Sequence, residues 1–127
     1  MKIEWTQGLE LGDADIDKQH QELFSLINEI IAVDSMRDLR GLIMLLYKHI
    51  REHFAAEEAL MARIEFPDLD HHTENHNRLL SRLNELSMDV GKGYMNKPAI
   101  VELMKDWALN HVSKDDQAIR RYMRASA

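Results

Sequence analysis

Five of the seven histidines stand where helical periodicity turns them toward the inside of a fold, although an inner stripe takes only about two positions in seven. They are His20, His53, His72, His76 and His111. Glu57 lies on the same stripe as His53, one helical turn further along. A buried polar group without a partner costs about 1–3 kcal/mol. The interior must therefore contain something that satisfies these side chains.

Imidazoles and a carboxylate that meet in an apolar interior have the chemistry of a metal centre. A neutral imidazole donates a nitrogen lone pair, and a carboxylate adds charge and can bridge two ions. The pairs His53/Glu57 and His72/His76 each place two such groups on one helix face. Counting residues from the predicted connections between helices places all these side chains at a similar height in the bundle. They fall within one slab that is roughly two turns of helix thick along the bundle axis. Five histidines exceed the four ligands of a tetrahedral zinc ion, so the pattern predicts two metal ions.

The remaining histidines and the methionines are assigned structural roles. His71 belongs to a polar helix face, which predicts a surface position. His49 lies one position off its stripe and about 10 Å from the slab, which predicts a boundary position. The methionines are expected mostly to fill gaps in a helical core, among them Met44, Met61, Met88 and Met104.

The first two predicted helices follow a polar N-terminal arm, residues 1–15. We expect the first helix to begin near Asp15 or Asp17, because either could cap it. The second helix follows a break at residues 34–38 and ends at residues 66–68. Both inner stripes alternate spacings of four and three. They consist of Ile16, His20, Leu23, Ile27 and Ile30, and of Leu39, Ile43, Leu46, Ile50, His53, Glu57, Leu60 and Ile64.

Two further helices complete the predicted fold. The third is expected to begin near Asp70 and to end at Gly91 and Gly93. The fourth is expected to begin near Asn96 and Pro98. Four long helices with short connections predict an all-α fold, an up-down-up-down antiparallel four-helix bundle.

The composition excludes several classes of protein. Lys and Arg number 16 and Asp and Glu 22, for a net charge of −6, so nucleic acid is not an expected partner. The absence of cysteine excludes disulfides, thiolate metal sites and a cysteine nucleophile. With no long apolar run and no signal peptide pattern, we expect no membrane association and a cytoplasmic location. A chain of 127 residues suits one core, and we expect one domain over residues 1–127.

Four segments in this order carry a resemblance to a known family. They are IDKQH ending at His20, HFAAEE beginning at His53, FP followed by HTENH ending at His76, and WALNHVSKDD ending at Asp116. Together they resemble the hemerythrin family, in particular its stand-alone bacterial form. Any single H-x-x-x-E or H-x-x-x-H is a weak signal, but all four segments at these separations are specific.

The resemblance implies a non-haem di-iron centre that binds O2 reversibly, in an oxygen carrier, store or sensor that is not an enzyme. The implied cofactors are two iron ions, Fe2+/Fe3+, with a bridging oxo or hydroxo group, and O2 is the ligand. No client protein follows from the sequence, and we expect a monomer or weak oligomer.

The resemblance also assigns the site residues. One iron would be held by His72, His76 and His111. The second, which keeps an open coordination position, would be held by His20 and His53. Glu57 and Asp116 would bridge the two. The O2 pocket would be lined by Leu23, Phe54, Trp107 and Val112.

Two positions in the fourth predicted helix are irregular. Asp116 departs from helical periodicity, and Ala108 departs from the family sequence. Asp116 follows His111 by five residues, which on a regular helix turns it about 140° away, so that Asp115 would align better. A one-residue π-bulge would bring Asp116 inward, and Ile119 would then continue the inner stripe. Ala108 stands where the family often has a larger leucine, which predicts easier small-molecule access and faster autoxidation.

Two other functions use the same residues. One is a di-iron enzyme with oxidase, peroxidase or nitric oxide-reducing activity, although the Glu-x-x-His pairs of ferritin-like di-iron enzymes do not occur in this sequence. The other is zinc binding or metal handling without redox chemistry.

Overall fold

Helices form nearly all of the regular structure in this computed structural model, which describes residues 4–6, 9–92 and 97–126. Helix α1 spans Ala14–Ala32, α2 spans Met36–Arg63 and α3 spans Leu69–Gly91. The fourth rod consists of α4 at Lys97–Asp106, a π-helix at Trp107–Asp115 and α5 at Asp116–Ser126. Helix α1 packs against α2, α2 against α3, and α4 against both α1 and α3. The predicted all-α four-helix bundle is confirmed.

Side-chain caps set the starts of the first two helices. The carboxylate of Asp13 accepts hydrogen bonds from the backbone N–H groups of Asp15 and Ile16, so the expectation that Asp15 or Asp17 caps α1 is wrong. Ser35 caps α2, which therefore begins within the predicted break, at Met36.

The later boundaries lie close to the predicted ones. Helix α3 begins at Leu69, one residue before the expected Asp70, and ends at Gly91. Helix α4 begins at Lys97. The expected roles of Gly93 and Asn96 lie outside the described residues.

The N-terminal arm is held against the bundle by side chains of the helices. Asp17 is buried in α1, and its carboxylate accepts hydrogen bonds from the backbone N–H groups of Leu11, at 2.6 Å, and Gly12, at 3.2 Å. Gly12 turns the chain at φ 107°, in the left-handed region that favours glycine. The Gln117 side chain donates to the backbone carbonyls of Leu9 and Glu10. Fixing this arm, and not capping α1, is what Asp17 does.

Two apolar clusters fill the bundle, and a polar layer separates them along each helix. The larger cluster includes Leu23 of α1 and Phe54 of α2, and the smaller includes Ile16 of α1 and Leu60 of α2. His20 and Glu57 lie between these residues in the sequence. The titratable groups are therefore enclosed by apolar packing at both ends.

The methionines do not all lie in the core. Met61 and Met104 are buried as predicted, whereas Met44 is 74% exposed and Met88 53% exposed, so their assignment as core gap fillers is wrong. His71 is exposed and His49 half-buried, as predicted. None of the helices in the described ranges combines the length and apolarity needed to cross a membrane.

Candidate metal centre

Seven titratable side chains from all four rods meet between the apolar clusters. They are His20, His53, Glu57, His72, His76, His111 and Asp116. Six of them are buried, and His111 retains 11% side-chain exposure. The structure thus brings together every residue to which the resemblance gave a metal-ligand role.

Each of the five histidines turns its Nε2 atom toward a carboxylate. The distance from Nε2 to the nearest carboxylate oxygen is 2.6 Å for His72 and 3.1 Å for His20, His53, His76 and His111. Glu57 is the common neighbour, since all five Nε2 atoms lie within 3.8 Å of one of its oxygens. The carboxylates thus occupy the middle of the cluster and the imidazoles its periphery.

The donor atoms divide into two groups that could each hold a metal ion. One group contains His72, His76 and His111 with both carboxylates, and the other contains His20 and His53 with the same two carboxylates. In each group the donor atoms lie within 4.8 Å of one another. Shared carboxylates between two sets of imidazoles suit two ions held close together.

The hydrogen-bond partners of the centre test whether these residues fit a metal. Nε2 of His20 and of His53, Oε2 of Glu57 and both carboxylate oxygens of Asp116 are buried, with no hydrogen-bond partner among the described residues. His53 Nδ1 lies 2.9 Å from the amide oxygen of Gln19, which can only accept, so Nδ1 carries the proton and Nε2 the lone pair. That lone pair faces a carboxylate, an arrangement that a cation between them would stabilise. The donor set fits a metal centre.

Without metal, protons on the imidazoles compensate the buried carboxylates. Burial opposes the charged form of His20 and His72, but Asp116 and Glu57 outweigh it and raise the pKa of each imidazole to about 9. The same balance raises the pKa of His111 to about 11. For His53 burial prevails over Glu57, and its pKa is lowered.

The carboxylates respond in the opposite direction. Burial alone would raise the pKa of Glu57, but the surrounding histidines, His111 first, lower it well below its usual value. Burial and the charge of Glu57 raise the pKa of Asp116, yet His111 and His20 outweigh both and lower it. Both acids therefore stay ionised at neutral pH.

The π-helix aligns Asp116 with His111. The backbone N–H of Asp116 donates to the carbonyl of His111, five residues back, where a regular α-helix uses a spacing of four. Asp116 is fully buried and Asp115 lies outside, with its carboxylate 3.3 Å from His111 Nδ1. Ile119 is fully buried, as the bulge predicts. The predicted bulge is confirmed, and it extends over Trp107–Asp115.

The sequence did not predict the hydrogen-bond partners of the imidazole Nδ1 atoms, which face away from the centre. Gln19 bonds His53 Nδ1, and the Glu58 carboxylate lies 2.9 Å from His76 Nδ1. Each is the chain neighbour of a centre residue, which is the one signal in the sequence that could have marked it. Both hold an imidazole that comes from another helix.

Four side chains named for the pocket are buried beside the centre. The exposed fraction is 1% for Leu23, 2% for Phe54 and Trp107, and 0% for Val112. The Phe54 ring stacks on His76 at 3.7 Å, and the Trp107 ring lies 5.9 Å from His20 and 6.4 Å from His53. On the α3 side, a cleft of about 320 Å³ is lined by His76, His111 and Trp107, among others. The centre therefore has a buried apolar wall, and the cleft reaches it from the α3 side.

Comparisons with known proteins agree with this geometry. A family model described as the hemerythrin HHE cation binding domain matches residues 11–122. A hemerythrin-like protein of Naegleria gruberi is 30% identical over 112 residues, which cover 88% of this chain and 86% of that protein. A bacteriohemerythrin of Campylobacter jejuni is 27% identical over 113 residues, 84% of each chain.

A solved structure supports the fold. The crystal structure of wild-type hemerythrin superposes with a TM-score of 0.83 at 22% identity, covering 91% of this chain and 93% of that one. The family match, which spans most of the sequence, and the cluster of histidines and carboxylates point to one identity. This chain belongs to the hemerythrin family of cation-binding domains.

Proposed function

We propose that this chain binds O2 reversibly at a non-haem di-iron centre, as an oxygen carrier, store or sensor, and that it is not an enzyme. The observation that carries the proposal is the pair of donor groups that share Glu57 and Asp116, with buried donor atoms that have no other partner among the described residues. We propose further that residues 1–127 act as one hemerythrin-like domain.

The donor chemistry supports iron at both positions. Imidazole suits iron, zinc and copper, and mixed imidazole and carboxylate sets are used for non-haem iron. The first ion would bind His72, His76 and His111, the second His20 and His53, and Glu57 and Asp116 would bridge them. The second group offers one imidazole fewer, which leaves room for an exogenous ligand there.

The proposed O2 pocket is the wall of Leu23, Phe54, Trp107 and Val112. Two ferrous ions would supply the electrons that O2 takes up on binding and returns on release. The chain's own task is to keep water and protons away from the bound O2. Water or protons that reached it would release the oxygen in a reduced form and leave the iron oxidised. The burial of these four apolar side chains supports this role.

Anaerobic loading of the metal-free chain with ferrous salt tests the proposal. We expect two irons per chain, a nearly colourless reduced form, colour in O2, and bleaching when O2 is removed. Metal analysis and absorption spectra over repeated oxygenation cycles measure this. Continuous O2 consumption in the presence of a reductant would show an enzyme instead, and a preference for zinc with no colour would show a redox-inert site.

Neighbouring histidines of α3 provide a matched pair of variants. His72→Ala removes a proposed ligand and should bind about one iron fewer and lose reversible colour. His71→Ala alters an exposed side chain on the same helix and should behave as the parent. Equal iron content in both variants would contradict the proposed ligand set.

A further inference from the structure

The outward-facing Nδ1 atoms of the imidazoles have different partners on the two sides of the centre. His76 Nδ1 is 2.9 Å from the Glu58 carboxylate, and His111 Nδ1 is 3.3 Å from the Asp115 carboxylate. On the other side, His53 Nδ1 is 2.9 Å from the neutral amide of Gln19. His20 Nδ1 is buried without a hydrogen-bond partner among the described residues. Among the residues that the structure describes, His76 and His111 therefore have anionic outer partners, and His20 and His53 have none.

This difference affects how strongly each imidazole donates to a metal. An N–H group that donates to a carboxylate forms a stronger hydrogen bond than one that donates to an amide. It also makes the ring a more basic ligand, and such outer partners change metal affinity by about 10–100-fold. The imidazoles supported by Glu58 and Asp115 are therefore the stronger donors.

We propose that Gln19 is a positioning residue that fixes the tautomer of His53 and, because it is neutral, keeps the His20/His53 position the weaker of two unequal metal sites. Glu58 has the opposite effect on the other site through His76. The inference rests on the proposed function, since it requires that these histidines bind metal. It adds that affinity is set partly by charge outside the ligand set, and not by ligand number alone.

Charge and ligand number can be separated because Gln and Glu have nearly the same shape. Gln19→Glu and Glu58→Gln exchange the amide and the carboxylate without adding volume. Gln19 is half-buried and the Glu58 side chain is 32% exposed, so both variants are expected to fold. The exposed residues Gln21 of α1 and Glu52 of α2 offer the same exchanges away from the centre.

Zinc titration of the metal-free chain against a competing chelator measures both sites without redox chemistry. We expect two binding steps in the parent. Glu58→Gln should weaken the tighter step about tenfold or more and spare the weaker one, whereas Gln19→Glu should tighten the weaker step about tenfold. Gln19→Ala, which removes the acceptor, should weaken that same step. Gln21→Glu and Glu52→Gln should leave both steps unchanged.

The opposite effects of Glu and Ala at position 19 separate tuning from a merely structural role, which both substitutions would impair. Nitrogen NMR of the zinc-loaded parent should also show the proton of His53 on Nδ1. Two zinc steps in the parent with no gain in Gln19→Glu would overturn this inference and leave the metal centre standing. Fewer than two metal ions in the parent, with zinc and with ferrous iron alike, would overturn the proposed centre itself.

Discussion

Glu57 and Asp116 bring two negative charges into the interior between the two apolar clusters, and both side chains are fully buried. Burying an uncompensated charge costs several kcal/mol. The five surrounding Nε2 atoms can compensate these two negative charges either by carrying protons or by coordinating cations. Protons and metal ions therefore compete for the same nitrogen atoms.

We expect access to the centre to depend on the size of the side chain at position 108. Ala108 is 2% exposed and follows Trp107 in the π-helix. We expect Ala108→Leu to slow autoxidation of the iron-loaded chain several-fold, because the added carbons narrow the space through which water arrives. The added volume should cost about 1–3 kcal/mol of stability. The decay of the oxygenated absorption in air measures the first effect, and urea unfolding the second.

A leucine elsewhere in the same rod provides the control. Ala99 lies in α4, eight residues before Trp107, or about 12 Å along the helix. Ala99→Leu should leave the autoxidation rate at the parent value. Equal autoxidation rates in the parent and in Ala108→Leu would mean that the size of the side chain at position 108 does not control access to the centre.

The site roles of side chains on the inner stripes were predictable from the sequence, whereas the roles of their outer hydrogen-bond partners were not. The site histidines and Glu57 stand out because apolar periodicity leaves no other explanation for them. Gln19 and Glu58 lie one position off their stripes, and their contacts depend on how far the neighbouring helix is rotated. Met44 carries an apolar side chain in an exposed position, which composition cannot distinguish from a buried one.

At the scale of the helix, the π-helix is the element that completes the centre. One additional residue between His111 and Asp116 lets both side chains face inward. Regular periodicity would have selected Asp115, and the family pattern was needed to choose Asp116. The caps show the same limit, because Asp13, Asp15 and Asp17 are all capable of capping α1 and only the position of the arm decides among them.

Deleting one residue of the π-helix tests this register. Lys114 is exposed, and its removal would place His111 and Asp116 four residues apart. We expect the deletion to yield a regular α-helix in which both side chains still face inward, because a spacing of four suits one helix face. Iron or zinc stoichiometry should stay at two ions per chain, and circular dichroism should show the same helix content.

A deletion outside the π-helix should have the opposite result. Glu102 is exposed in the regular helix α4, and its removal rotates everything before it by about 100° relative to the centre. We expect lower stability and impaired metal binding. If removing Lys114 abolished metal binding as removing Glu102 does, the π-helix would have a role beyond setting the register.

In the molecule as a whole, the free energy of unfolding depends on the ionisation state of the polar layer. The layer separates the two apolar clusters, and residues from all four rods contribute to it. Anything that stabilises the layer therefore stabilises contacts among all the helices. The four-helix arrangement was predictable from periodicity and short connections, whereas the ionisation of the layer depends on distances that only the folded chain defines.

The stability of the metal-free chain should fall as pH rises above 6.5. His20 and His72 have a pKa of about 9 in the folded chain, against 6.5 when unfolded, so they favour folding below pH 6.5 and lose that effect as pH rises through 9. Each imidazole protonated only in the folded chain contributes a slope of about −1.4 kcal/mol per pH unit in this window. Coordinated imidazoles carry no such proton, so the two-metal chain should not show this loss. Urea unfolding at pH 6.5, 7.5 and 8.5, with and without metal, should show a stability gap that widens with pH, and a constant or shrinking gap would contradict the competition between protons and metal.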